Sequence, residues 1–133
     1  LARFGSWELE VPNGGGRFGV PLRVTLFPSR EAAPTGELQC RFQCVRSAVS
    51  RARGTQGTST RNAHATLWEE SWTLRAGVLQ PRLGLELTLP MPASGQPTSV
   101  DQRTGSGIHW ELNVVIPASS HAHGAMFEIP VSM

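Results

Sequence analysis

The chain has 133 residues, which fits one ordinary domain able to bury roughly two thirds of the surface its unfolded form exposes. Folding therefore needs neither a metal nor a disulfide, and no apolar run approaches the ~20 residues that cross a bilayer as a helix. A net charge of only +2 gives no reason to expect a nucleic-acid partner, and 14 glycines with 10 prolines suit short strands joined by turns.

Seven segments alternate apolar and polar residues with the period of a strand. The first, Trp7 to Val11, puts Trp7, Leu9 and Val11 on one face; Pro12 and a glycine run end it. The second runs from Val20 to Phe27, and Pro21 near its start suggests an edge position or a strand entry. After a loop at 28–36, the third spans Glu37 to Arg46, with Leu38, Cys40, Phe42 and Cys44 inward and Gln39, Arg41 and Gln43 toward water. A long polar loop is expected from about Ser47 to His64, mobile at its tip around Gly54 to Thr60.

The fourth strand covers Ala65 to Leu74. Trp68, Trp72 and Leu74 share a phase, but Glu70 falls in that phase between the tryptophans. Either a bulge near Glu69 and Glu70 resolves this or the face is half-buried. The fifth, Arg82 to Leu89, alternates leucines up to Pro90. A turn-rich loop precedes the sixth, Ile108 to Ile116, where Ile108, Trp110, Leu112, Val114 and Ile116 face one way. The last runs from Ala125 to Val131.

No segment carries a helical apolar period over ten residues. One apolar and one polar face per strand is what two antiparallel sheets packed face to face require. The expected fold class is therefore all-β, a single antiparallel two-sheet sandwich of about seven strands, immunoglobulin- or arrestin-like; a closed barrel is the alternative. Cys40 and Cys44, four residues apart on one strand, would stand about 13 Å from each other, beyond the ~7 Å a disulfide bridges. They are read as free, buried thiols, which favours a reducing compartment.

A set of landmarks runs through the chain. Arg3-Phe4-Gly5 precedes Glu8-Leu9-Glu10 and a glycine turn at Gly14 to Gly16. Cys44-Val45-Arg46 leads into a polar stretch and then Leu67-Trp68-Glu69-Glu70. A leucine-rich strand closes on Pro90, and His109-Trp110-Glu111-Leu112 and Phe127-Glu128-Ile129-Pro130-Val131 follow. This pattern resembles the soluble C-terminal region of an uncharacterised family of bacterial multi-pass inner-membrane proteins, a domain of unknown function, and the terminal strands resemble those of arrestin-like sandwiches. The chain departs from that family at Ser119 to Gly124, before the last strand. The resemblance implies a membrane-anchored parent that keeps this domain on the cytoplasmic side. The first residue, Leu1, fits a domain cut from such a longer protein.

No constellation reaches a catalytic or cofactor signature. His121 and His123 could begin a metal site, but a structural zinc needs four ligands, and two turn histidines are the simpler reading. Asp101 is the only aspartate and lies in a loop, which leaves a Ser-His-Asp triad without an orienting acid. Neighbouring Glu69 and Glu70 point to opposite faces of a strand and cannot pair as acid and base. The chain is read as non-enzymatic, with no cofactor and no metal.

The leading expectation is a protein-interaction or scaffolding module of a bacterial membrane protein, with a small-molecule or carbohydrate-binding sandwich as the alternative. Arg51, Arg53 and Arg61 in the polar loop could meet an anionic membrane surface. Trp68 and Trp72 flanking Glu70 could form an aromatic binding face. A free sheet edge, at Val20 to Phe27 or at the terminal strand, could take a protein partner or support a weak homodimer.

Overall fold

A computed structural model describes residues 2–4, 7–27, 37–54, 57–75, 84–100, 106–116 and 123–133. Among them the chain forms eleven strands and no helix. In chain order these are β1 (Ala2–Phe4), β2 (Trp7–Glu10), β3 (Gly16–Arg17), β4 (Leu22–Phe27), β5 (Glu37–Gly54) and β6 (Gly57–Arg75). Then come β7 (Leu85–Leu89), β8 (Ser99–Val100), β9 (Gly107–Ile116), β10 (His123–Glu128) and β11 (Val131–Ser132).

Two antiparallel sheets share one core. The first is ordered β1-β2-β4-β7; the second is ordered β10-β9-β5-β6, with β8 added to β9. One hydrophobic cluster joins Trp7, Leu9, Leu22, Val24, Leu26, Leu87 and Leu89 of the first sheet to Leu38, Phe42, Trp110, Leu112, Val114 and Phe127 of the second. Apolar side chains from alternate positions on two sheets thus meet between them, which defines an antiparallel β-sandwich. Strand β1 also approaches β10, so the sheets draw together along that side.

All seven expected strands are present, with shifted ends. Val20 is 59% exposed rather than inward; it lies outside β4, in an isolated bridge to Arg17. Pro21 therefore marks an entry, and β4 is an interior strand between β2 and β7, not an edge. Within the described residues β7 begins at Leu85, after Gly84; Leu83 lies outside them. The terminal strand is two pieces: β10 ends at Glu128, Ile129 and Pro130 interrupt, and β11 pairs in parallel with β3. Proline has no N–H to give a ladder, so a break there follows from the residue itself.

The largest correction concerns the polar stretch after Ser47. It is not a long loop. Strands β5 and β6 pair continuously from Glu37↔Arg75 to Gly54↔Gly57, whereas β9 follows β5 only from Gln39 to Ser47. Beyond Ser47 the hairpin is a two-stranded ribbon paired only with itself among the described residues. The stretch carries no apolar alternation, so its sequence gives no strand signal. The bulge lies at Leu67, because Cys44 pairs Trp68 while Val45 pairs Thr66. It does not lie at Glu69 and Glu70.

The stretch between β7 and β9 is tied across one end of the sandwich. Gly19 N–H donates to the Pro92 carbonyl at 2.8 Å, and Thr98 N–H to the Val131 carbonyl at 2.9 Å. The indole Nε1 of buried Trp110 donates to the Gln96 carbonyl at 2.9 Å. A buried indole needs such an acceptor.

Candidate functional site

The outward face of the larger sheet carries a grid of polar side chains from its three longest strands. Register sets the rows. Gln43 stands between Glu111 on β9 and Glu69 on β6; Arg41 stands between Asn113 and Ser71; Gln39 stands between Val115 and Thr73. Strand β10 extends the first row with Glu128, opposite Glu111. Alternation on a pleated strand makes these sets share one face.

The first row holds a polar network. Glu111 Oε1 lies 2.7 Å from His109 Nε2, and Oε2 accepts a 2.8 Å hydrogen bond from Gln43 Nε2. His109 and Glu111 are two residues apart on β9, which places both side chains on this face. Their side chains are only 20% and 15% exposed, so solvent screens the pair less than it would at an open surface. Burial alone would raise the Glu111 carboxyl. The hydrogen bonds from Gln43 and His109, the His109 charge and the nearby Asn113 amide outweigh it and hold the group below its ordinary value. Asn113 favours that charge from close by, but among the described residues no acceptor meets the geometry of a hydrogen bond to its buried Nδ2.

Beside this network lies an open concavity of about 430 Å³, walled by Gln39, Arg41, Ser71, Thr73, Asn113 and Val115 together with Cys40 and Trp72. That volume falls within the range of small-ligand clefts. Arg41 is exposed and forms no ion pair among the described residues.

Of the residues singled out in sequence, Trp72 also lines the concavity; the others fall elsewhere. Trp68 is half-buried and packs edge-on to Phe42, with ring centres 5.9 Å apart, and against Trp110 at 5.6 Å. Trp72 is likewise half-buried and packs against the core. Glu70 is exposed between them, opposite buried Phe42. Of the two explanations for its place in an apolar phase, the structure shows the half-buried face, on the outermost strand of the sheet. Arg51, Arg53 and Arg61 lie on the ribbon, where the described structure gives their register. Arg51 pairs Thr60, Arg53 pairs Thr58, and Arg61 pairs Ser50. His123 opens β10; His121 lies outside the described residues.

Gln43, His109, Glu111 and Asn113 were not among the residues singled out. Their signal was present as two polar alternations, Gln39-Arg41-Gln43 and His109-Glu111-Asn113. Nothing in the sequence states that the two strands lie side by side in that register.

The fold and this face together define an all-β antiparallel sandwich with one long hairpin, β5-β6. Within the described residues no helix is long and apolar enough to cross a membrane. No family model and no curated sequence matches the chain. Among solved structures the chain is similar to Spo0M, a sporulation control protein from Bacillus subtilis. The match has a TM-score of 0.48 and 11% identity, and covers 98% of this chain and 51% of that one. The chain thus spans about half the length of that protein.

Proposed function

We propose that the domain is a non-enzymatic protein-interaction module that accepts an extended segment of a partner along the free edge of β6. One observation carries this reading. Strand β6 runs for 19 residues, ends its sheet, and pairs only with β5 among the described residues. A strand edge presents a row of unsatisfied N–H and C=O groups, and adding a strand satisfies them. The bulge at Leu67 and exposed Glu69 and Glu70 are features that restrain indiscriminate pairing on such an edge.

The family resemblance adds a setting to this reading: a membrane-anchored bacterial parent, with the domain on the cytoplasmic side of the inner membrane. The ribbon fits that setting. Between Val45 and Trp68 the sequence holds four arginines and no acidic residue, so this arm would favour an anionic lipid surface. A second copy of the chain is the simplest competitor for the β6 edge and would give a weak homodimer.

Selection of extended peptides against the folded domain, followed by amide shift mapping, tests the edge. The expected result is a contiguous run of shifts along Ala65 to Leu74, with backbone contacts between peptide and β6. Failure to select any binder, or binders that map away from β6, overturns the reading. Self-association that protects the same amides would assign the edge to a second copy.

A further inference from the structure

We propose that the concavity on the outward face of the β9-β5-β6 sheet is a binding site for a small ligand bearing an oxyanion, a carboxylate or a phosphate, seated on Arg41. Three independent observations converge there. The surface is recessed by about 430 Å³, on a sheet face that would otherwise be expected to be smooth. Its centre is an arginine without an ion pair among the described residues. Its β9 wall carries the Asn113 amide, whose buried Nδ2 lies close to Glu111 but meets no acceptor at hydrogen-bond geometry among the described residues. A buried donor left unsatisfied is costly, and an oxygen acceptor brought to this wall would relieve it after a small turn of the amide.

The rest of the lining agrees with an anion. Register places Arg41 between Asn113 and Ser71, and Thr73 and Gln39 stand in the next row. Each of these side chains can donate, and a guanidinium matches the two oxygens of a carboxylate or phosphate. Val115 offers an apolar contact for the body of the ligand. The row on the other side is acidic, with Glu69, Glu111 and Glu128 around Gln43. Both Glu111 oxygens are engaged by His109 and Gln43, and Glu111 forms no ion pair with Arg41. Its charge steers an anionic group toward the Thr73 and Val115 side. The site is separate from the outer edge of β6, and either proposal can fail without the other.

Titration of the isotopically labelled full chain tests the site, with inorganic phosphate in one arm, sodium propionate in the second and sodium chloride at matched ionic strength as the baseline. The expected result is saturable shifts of the Asn113 side-chain amide and of residues 39–41 and 71–73 with at least one oxyanion. The arm that saturates at the lower concentration distinguishes phosphate from carboxylate chemistry. Arg41→Gln should weaken binding at least ~10-fold, Arg41→Lys less, and Ser71→Glu should abolish it. Both positions are exposed, and an unchanged amide spectrum elsewhere verifies folding. Shifts that stay linear in concentration, match the chloride baseline or persist in Arg41→Gln overturn the proposal.

Discussion

Gly15 lies directly beneath Pro130: a β-carbon on Gly15 would stand 2.1 Å from the Pro130 carbonyl oxygen. That oxygen is already the acceptor for Gly16 N–H at 2.8 Å, the bond that seats β11 beside β3. Gly15 also has φ of +66°, where side chains other than glycine are strained.

Gly15→Ala should therefore cost about 2–4 kcal/mol, by a backbone clash added to αL strain. Gly14 has φ of +89° but open space around its Cα, so Gly14→Ala should cost only about 1 kcal/mol. Thermal melts of the two variants separate the contributions. Equal losses would show that the close approach to Pro130 contributes nothing.

Trp110 is buried, contacts Phe18, Phe42 and Trp68, and donates to Gln96. Trp110→Ala should cost about 3–5 kcal/mol as a large core deletion. Trp110→Phe keeps an aromatic ring but loses packing through its smaller ring and the hydrogen bond to the Gln96 carbonyl, and should cost about 1–3 kcal/mol. Urea unfolding midpoints give both values.

Glu111 is held below its ordinary value of 4.5. A carboxylate depressed in the folded state stabilises the fold above its unfolded pKa, and that contribution is lost as pH falls through its folded value. The melting temperature of the wild type should thus exceed that of Glu111→Gln at pH 7, and the gap should close progressively below about pH 4.5. A gap that stays constant down to pH 3 would remove Glu111 as the source.

Burial pushes the Cys40 thiol up to about 11. Burial also raises Cys44, against an opposing pull from Arg46. Both cysteines are free and buried, and a protonated, covered thiol is a poor nucleophile. A disulfide-exchange reagent at pH 8 should label neither in the native state, and both after denaturation. Labelling of native protein at the rate of a free thiol would contradict this.

The ribbon beyond Ser47 pairs only with itself among the described residues. Replacing residues 48–63 by an Asn-Gly turn between Ser47 and His64 should leave the sandwich folded, with a stability change within about 1 kcal/mol. The same deletion should abolish sedimentation with anionic vesicles if the arginines meet lipid. Persistent sedimentation would place any lipid contact elsewhere.

The core was legible because every main strand has one dry face. Leu85 to Leu89 and Ile108 to Val114 alternate without interruption, and burial rewards no other register. What escaped the sequence was what alternation cannot report. The stretch from Ala48 to Ala63 carries no apolar alternation. Strands β3, β8 and β11 are two residues each, too short to show any period. The bulge at Leu67 resets the phase upstream of Glu70, where only a pairing partner reveals it. The outward grid needs the register of β5 against β9, a relation between residues nearly seventy positions apart, as with Gln43 and Glu111. Glu70 was noticed because it breaks a pattern, Glu111 overlooked because it keeps one.

Two indoles whose ring centres lie 5.6 Å apart, as Trp68 and Trp110 do, share their excited states. Coupled transition dipoles in a fixed, tilted arrangement give a paired positive and negative band in circular dichroism, superimposed on the weak signal of the strands. Spectra of this all-β protein would then understate or distort its strand content if read from the backbone alone. The two rings belong to β6 and β9, with β5 between them, so the paired band is also an optical gauge of whether the hairpin is seated in its sheet.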